Sequence, residues 1–210
     1  MGRLIAILTA IVLVAGCKTA ATPVPTPEPS PTPHTPVTAA VLQPGEVPAN
    51  LNPCTGSGPI ATYLTGLATA DPALATRMTG QWQQLRAGGA LDAAISLFAA
   101  DPTACTAQLA ATSKIQAATS FAAVFTDEGQ ADRAWEAGVF GFFPPPPGLL
   151  SPGLVRGTAT GLGPSSWTYD HSGVHIASWH KSVFVALLVL SNLDAGAIKT
   201  ASATVDARLN

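Results

Sequence analysis

The stretch Val183-Phe184-Val185-Ala186-Leu187-Leu188-Val189-Leu190 is apolar without a break and lies between Ser182 and Ser191. Side chains alternate between the two faces of a strand, so a strand with apolar residues at both parities has to be covered on both sides. The stretch therefore predicts a central strand, and the elements on either side of it can be read as its neighbours. Upstream, Val174 to Trp179, a turn near His180-Lys181-Ser182 and the apolar stretch itself read as a hairpin. Ser166 to Tyr169 reads as a further strand, joined to Val174 by Asp170-His171-Ser172-Gly173, a type I turn with Asp first and Gly last. Downstream, Asp194 opens a last helix in which Ile198, Ala201, Val205 and Leu209 repeat at helical spacing.

Further upstream, Ile115, Ala117, Thr119, Phe121, Ala123 and Phe125 share one face at period two, which predicts a strand over Lys114 to Phe125. Asp127 then caps a helix to about Ala137, with Gln130 placed as in a capping box, and Val139 to Phe143 reads as a short strand. Before Cys105 the pattern is helical. Ser57 or Gly58, followed by Pro59, starts one helix with Ile60, Leu64 and Leu67 on one face. Asp71-Pro72 starts a second, with Leu74, Met78, Trp82 and Leu85, ending at Gly88-Gly89. Leu91, Ile95 and Phe98 mark a third, shorter helix. The expected class is α+β: N-terminal helices, then an antiparallel sheet of about four to five strands with helices packed on it.

Between the two groups of strands, Pro144-Pro145-Pro146-Pro147-Gly148-Leu149-Leu150 opens a segment to Pro164 that suits neither helix nor ladder. A long segment of this kind is usually a lid, a binding loop or disordered. Phe140, Phe142, Phe143, Leu149 and Leu150 in and beside it either close the edge of the core or form an exposed patch for a ligand, a partner or a membrane.

The beginning of the chain has a different character. Arg3 precedes an apolar run from Leu4 to Val14, followed by small residues, which is the layout of a secretory signal peptide. The run is too short to span a bilayer, which takes about 20 apolar residues. Val14-Ala15-Gly16-Cys17 resembles the lipobox of bacterial lipoproteins. The resemblance implies that the peptide before Cys17 is removed and that Cys17 carries a diacylglycerol. The membrane would then be a partner through the acyl chains, with the protein on the extracytoplasmic side of a cell membrane or outer membrane. It covers the signal region only. The expected organisation is a signal peptide over residues 1–16, a lipidated Cys with a Pro/Thr-rich tether over 17–50, and a single domain over 51–210. The tether includes the alternating prolines Pro23, Pro25, Pro27, Pro29, Pro31 and Pro33, which favour polyproline II backbone.

With Cys17 used by lipid, two of the 3 cysteines remain, Cys54 and Cys105. They are either buried thiols or a disulfide, and an oxidising compartment favours the bridge. Neither has a second ligand at zinc spacing. With 10 Lys and Arg against 12 Asp and Glu, the chain has a formal net charge of −2 and no basic cluster, so it offers nucleic acid no electrostatic footprint.

Signatures of catalysis are few. Gly153-Leu154-Val155-Arg156-Gly157 has the wrong centre for a nucleophile elbow, and Gly161-Leu162-Gly163 lacks the third glycine of a dinucleotide loop. Asp170, His171, His175 and His180 are the one polar cluster able to bind metal or supply a base. On a strand, however, His175 and His180 point to opposite faces, and His171 sits in the turn. Neither a metal nor any other cofactor is expected. Two functions follow: a non-enzymatic module that binds an envelope protein or a small apolar ligand at Phe140 to Leu150, or an envelope hydrolase or metal-dependent enzyme using His171, His175 or His180.

Overall fold

Phe184–Ser191 is a strand, and every one of its residues is buried. The computed structural model that shows this describes residues 35–101, 105 and 114–210; the signal region, Cys17 and the proline tract lie outside them. In chain order the elements are α1 (Val37–Ala40), β1 (Asn52–Pro53), β2 (Gly58–Pro59), α2 (Ile60–Ala70), α3 (Pro72–Ala87), β3 (Ala90–Ala99), β4 (Ala117–Phe125), α4 (Glu128–Ala137), β5 (Leu154–Arg156), β6 (Ser166–His171), β7 (Val174–Lys181), β8 (Phe184–Ser191) and α5 (Ala195–Arg208). The strands form one antiparallel sheet in the order β1-β3-β4-β8-β7-β6-β5, with β2 also paired to β3.

Strand alternation divides the core in two. Ile95 and Leu97 of β3, Phe121 and Phe125 of β4, and Val185 and Leu187 of β8 face α2, α3 and α4. Phe98, Ala118, Ala122, Phe184, Leu188 and Leu190 face the other way, where α1, α5 and the residues just after each cover them with Val37, Val41, Leu42, Val205 and Leu209. β8 lies between β4 and β7, as its two apolar faces require. Three of the helices start where an aspartate caps them. Asp71 accepts from the Leu74 N–H at 2.9 Å, Asp127 from Gln130 at 2.8 Å and Asp194 from Ala197 at 2.9 Å, before α3, α4 and α5.

The class is mixed helix and antiparallel sheet, but the sheet has 8 strands rather than four or five. Helices are also not gathered at the front of the chain: α4 separates β4 from β5, and α5 comes last. The largest correction is at Leu91 to Phe98, which is β3 and not a third helix. Its spacing satisfies a helical repeat, yet Ala93 to Ala99 are all buried, because β4 pairs along one edge and β1 and β2 cover the other. A short apolar run has no period of its own, and partners distant in sequence decide its state.

Other corrections are local. Val139 to Phe143 is a tight turn closed by a single Val139 to Phe142 bridge, with Phe140 at φ 49° and Gly141 at φ 86°. The turn between β6 and β7 has Ser172 at φ 49° and Gly173 at φ 80°, the positive pair of a type I′ hairpin rather than type I. The segment from Pro144 to Pro164 is not wholly irregular, since it holds β5 and a 3-10 turn at Gly157–Thr160. Three residues pair there because an edge strand needs only one neighbour. Finally, the folded unit begins upstream of residue 51. Val37, Ala40, Val41 and Leu42 are buried, and the Leu42 N–H donates to Ser120 Oγ at 2.9 Å. The stretch assigned to the tether thus includes part of the core.

The Cys54–Cys105 disulfide is present, with 5.6 Å between Cα atoms. Among the described residues no helix is long and apolar enough to cross a membrane.

Candidate functional site

The histidines are placed by strand alternation. On the α5 side of the sheet, His175 is 7% exposed, and its Nδ1–H donates to Asp170 Oδ1 at 2.8 Å across the β6–β7 pair. This dyad borders a depression that also includes Thr168, Lys199 and Asp206. His180 faces α4, where its Nδ1 lies 3.4 Å from Asp132 Oδ1. Its Nε2 sits 2.6 Å from the Ser182 carbonyl, which can only accept, so Nε2 donates there. His171 is exposed and stacks on Tyr169, with ring centroids 5.8 Å apart.

The three imidazoles therefore do not converge, and among the described residues no group of His, Cys, Asp and Glu is arranged to hold a metal ion. The His175–Asp170 pair contains a base and the carboxylate that orients it. Among the described residues no hydroxyl or thiol is hydrogen-bonded to His175 to serve as a nucleophile.

The other face of the same sheet end carries an apolar groove. Because Phe140 and Gly141 adopt positive φ, the turn after α4 reverses and returns the Phe140 ring to the core, 4.8 Å from Phe121 and edge-on at 81°. Phe142 packs against the same cluster. Phe143 is instead 63% exposed, and its ring lies close against Gly138, leaving no room there for a Cβ. Leu149 at 50% and Leu150 at 94% exposure stand on the following loop, which Arg156 ties down by donating from Nη1 to the Pro146 carbonyl.

Of the five residues singled out in this loop, Phe140 and Phe142 are thus its anchors, while Phe143, Leu149 and Leu150 are its exposed surface. Phe142, Phe143 and Leu149, with Leu154, Trp167 and Tyr169, surround a groove of about 420 Å³ floored by Ile176, and Leu150 stands outside it. No Asp, Glu, His, Lys or Arg lines the groove. Trp167 is 5% exposed, and its indole N–H has no partner among the described residues.

Sequence reasoning did not include Leu154, Trp167, Tyr169 or Ile176 in the site. The signal for two of them was present, since Trp167 and Tyr169 are separated by one residue and must share a face of β6. The strand that brings Leu154 beside Tyr169 could not be anticipated from Leu154-Val155-Arg156 alone. Compared with protein-family models, with curated proteins and with solved structures, the chain matches none.

Proposed function

We infer that the protein is an exported lipoprotein, held by acyl chains on Cys17 at the extracytoplasmic side of a cell membrane or outer membrane. Its domain acts as a non-enzymatic binding module for an apolar ligand or for the apolar side chains of an envelope partner. The observation that carries this reading is the groove beside β6. Exposed Phe143 and Leu149 form its lip, aromatic rings form its walls, and no charged group lines it. Large apolar side chains clustered on the surface of a soluble domain mark interaction sites, and concave apolar sites with a few polar groups are where small ligands bind. Export is supported by the apolar run before Cys17 and by the Cys54–Cys105 bridge, which persists in an oxidising compartment.

Two experiments test the reading. Mass analysis of the membrane-bound product should find a chain beginning at an acylated Cys17, and Cys17→Ser should release the protein from the membrane; an unprocessed Met1 terminus without acyl chains refutes the anchor. An apolar fluorescent dye should bind the purified protein at one equivalent and be lost on replacing Phe143 and Leu149 by Ser, with melting unchanged. Dye binding that ignores both substitutions refutes the groove.

A further inference from the structure

We propose that the groove beside β6 takes the proline tract of a second copy of this chain, residues 22–33, so that anchored copies link tail to groove. The proposal rests on the groove being a binding site and names its occupant.

The chemistry of the two surfaces is complementary. A tract of alternating prolines favours polyproline II, which makes no internal hydrogen bonds, leaves its carbonyls available and presents flat pyrrolidine rings. Grooves lined by aromatic side chains read such segments, and the preformed helix keeps the ordering cost low. This groove brings together Phe142, Phe143, Trp167 and Tyr169 for the rings, and the Ser151 and Tyr169 hydroxyls as donors for carbonyls. Its polarity fits as well. The groove has no ionised side chain, and from Thr22 to Pro33 the chain has one, Glu28. The tract is therefore a ligand of matching chemistry present wherever the groove is.

Reach decides which copy supplies it. The described chain begins just before α1, which packs over β3 and β4 on the α5 side of the sheet. The groove is on the opposite face, at β6 and β7. Three strand spacings of about 4.8 Å separate β4 from β6, and rounding the sheet through layers of about 10 Å on each side adds roughly 20 Å. The path of about 35 Å equals some 11 residues of polyproline at 3.1 Å each. A chain reaching its own groove would spend its prolines on the journey, whereas a neighbour's tract arrives without that lead. Confinement of both copies to one membrane raises their effective concentration. The contact joins two different surfaces, so copies either exchange tails in a closed pair or extend head to tail into clusters.

The test uses the full chain with Cys17→Ser, kept in solution, and reads its mass by sedimentation as concentration rises. Self-association is expected, and it should weaken at least tenfold both when the six prolines are replaced by Ala and in Phe143→Ser, with Tyr169→Ala as a second groove variant. Mixing the proline-free chain with Phe143→Ser should restore one-to-one dimers, since one intact groove and one intact tract remain. A wild-type chain that stays monomeric, or a proline-free chain that associates equally well, overturns the proposal. If the wild type is monomeric yet the fluorine resonance of labelled Trp167 moves on replacing the prolines, the tract occupies its own groove and the second-copy assignment is wrong. If the apolar dye still binds a chain that never associates, only the named occupant fails; if the dye does not bind either, the groove reading fails with it.

Discussion

Replacing Cys54 and Cys105 together by Ala should lower stability by about 4 kcal/mol. The two residues are 51 apart in sequence, and the chain-entropy model assigns closure of such a loop about −14 cal/mol/K, or about 4 kcal/mol at 25 °C. The bridge is well placed to have that effect, since it joins two parts of the chain on either side of β3. Cys54 is 5% exposed and its N–H donates to the Leu97 carbonyl at 2.8 Å, so one end is already fixed to β3. For a folded unit of this size the loss corresponds to a fall in melting temperature of roughly 8–16 °C. Urea unfolding followed by circular dichroism should give the same midpoint for the reduced wild type and the double variant, both well below the oxidised protein. The slope should steepen in the unbridged forms, because their unfolded chains expand further. A double variant within about 1 kcal/mol of the oxidised wild type would refute the argument.

Phe184→Ala, at a fully buried position in the central strand, should cost about 3–5 kcal/mol, while Leu150→Ala should change stability by less than about 0.5 kcal/mol; paired thermal melts check both. Gly138→Ala should cost about 1–3 kcal/mol and weaken dye binding, because Gly138 sits at φ 85° and ψ 152° and a Cβ would fall 2.5 Å from the Phe143 ring; unchanged dye affinity would show that the ring's position does not matter. Burial raises the Tyr63 hydroxyl pKa above its ordinary 10.0. The folded state then holds that proton more tightly, so its contribution is complete below pH 10 and is lost as pH rises through the raised value. Tyr63→Phe should flatten the fall in urea midpoint above pH 10, and an identical alkaline profile would refute the assignment.

Much of the second half of the fold was legible because its signals are local. The aspartates before α4 and α5, the two-faced apolar run of β8 and the period-two face of β4 each determine their own conformation within about ten residues. β3 was misread because Leu91, Ile95 and Phe98 fall at helical spacing although on the strand Ile95 and Phe98 face opposite layers, and its pairing partner β4 lies beyond Cys105. The two-residue strands β1 and β2 and the edge strand β5 have no pattern long enough to read. At the site, alternation correctly separated His175 from His180, which face α5 and α4. The loop of Phe140 to Leu150 was recognised as a unit, but its division into anchors and exposed residues depends on the reversal at Phe140-Gly141, which backbone angles reveal and composition does not.

The two ends of the described chain hold one another. Arg208, near the end of α5, donates to the Val41 carbonyl and pairs with Glu46, while the backbone of Leu42 is fastened to β4. A protein started at Leu51 would therefore leave Phe98, Ala118 and Ala122 wet and should precipitate rather than fold. A mechanical load entering from the upstream side meets α1 first, and α1 is gripped by the sheet and by the last helix together. Tension applied there is thus shared between β4 and α5 instead of falling on α1 alone.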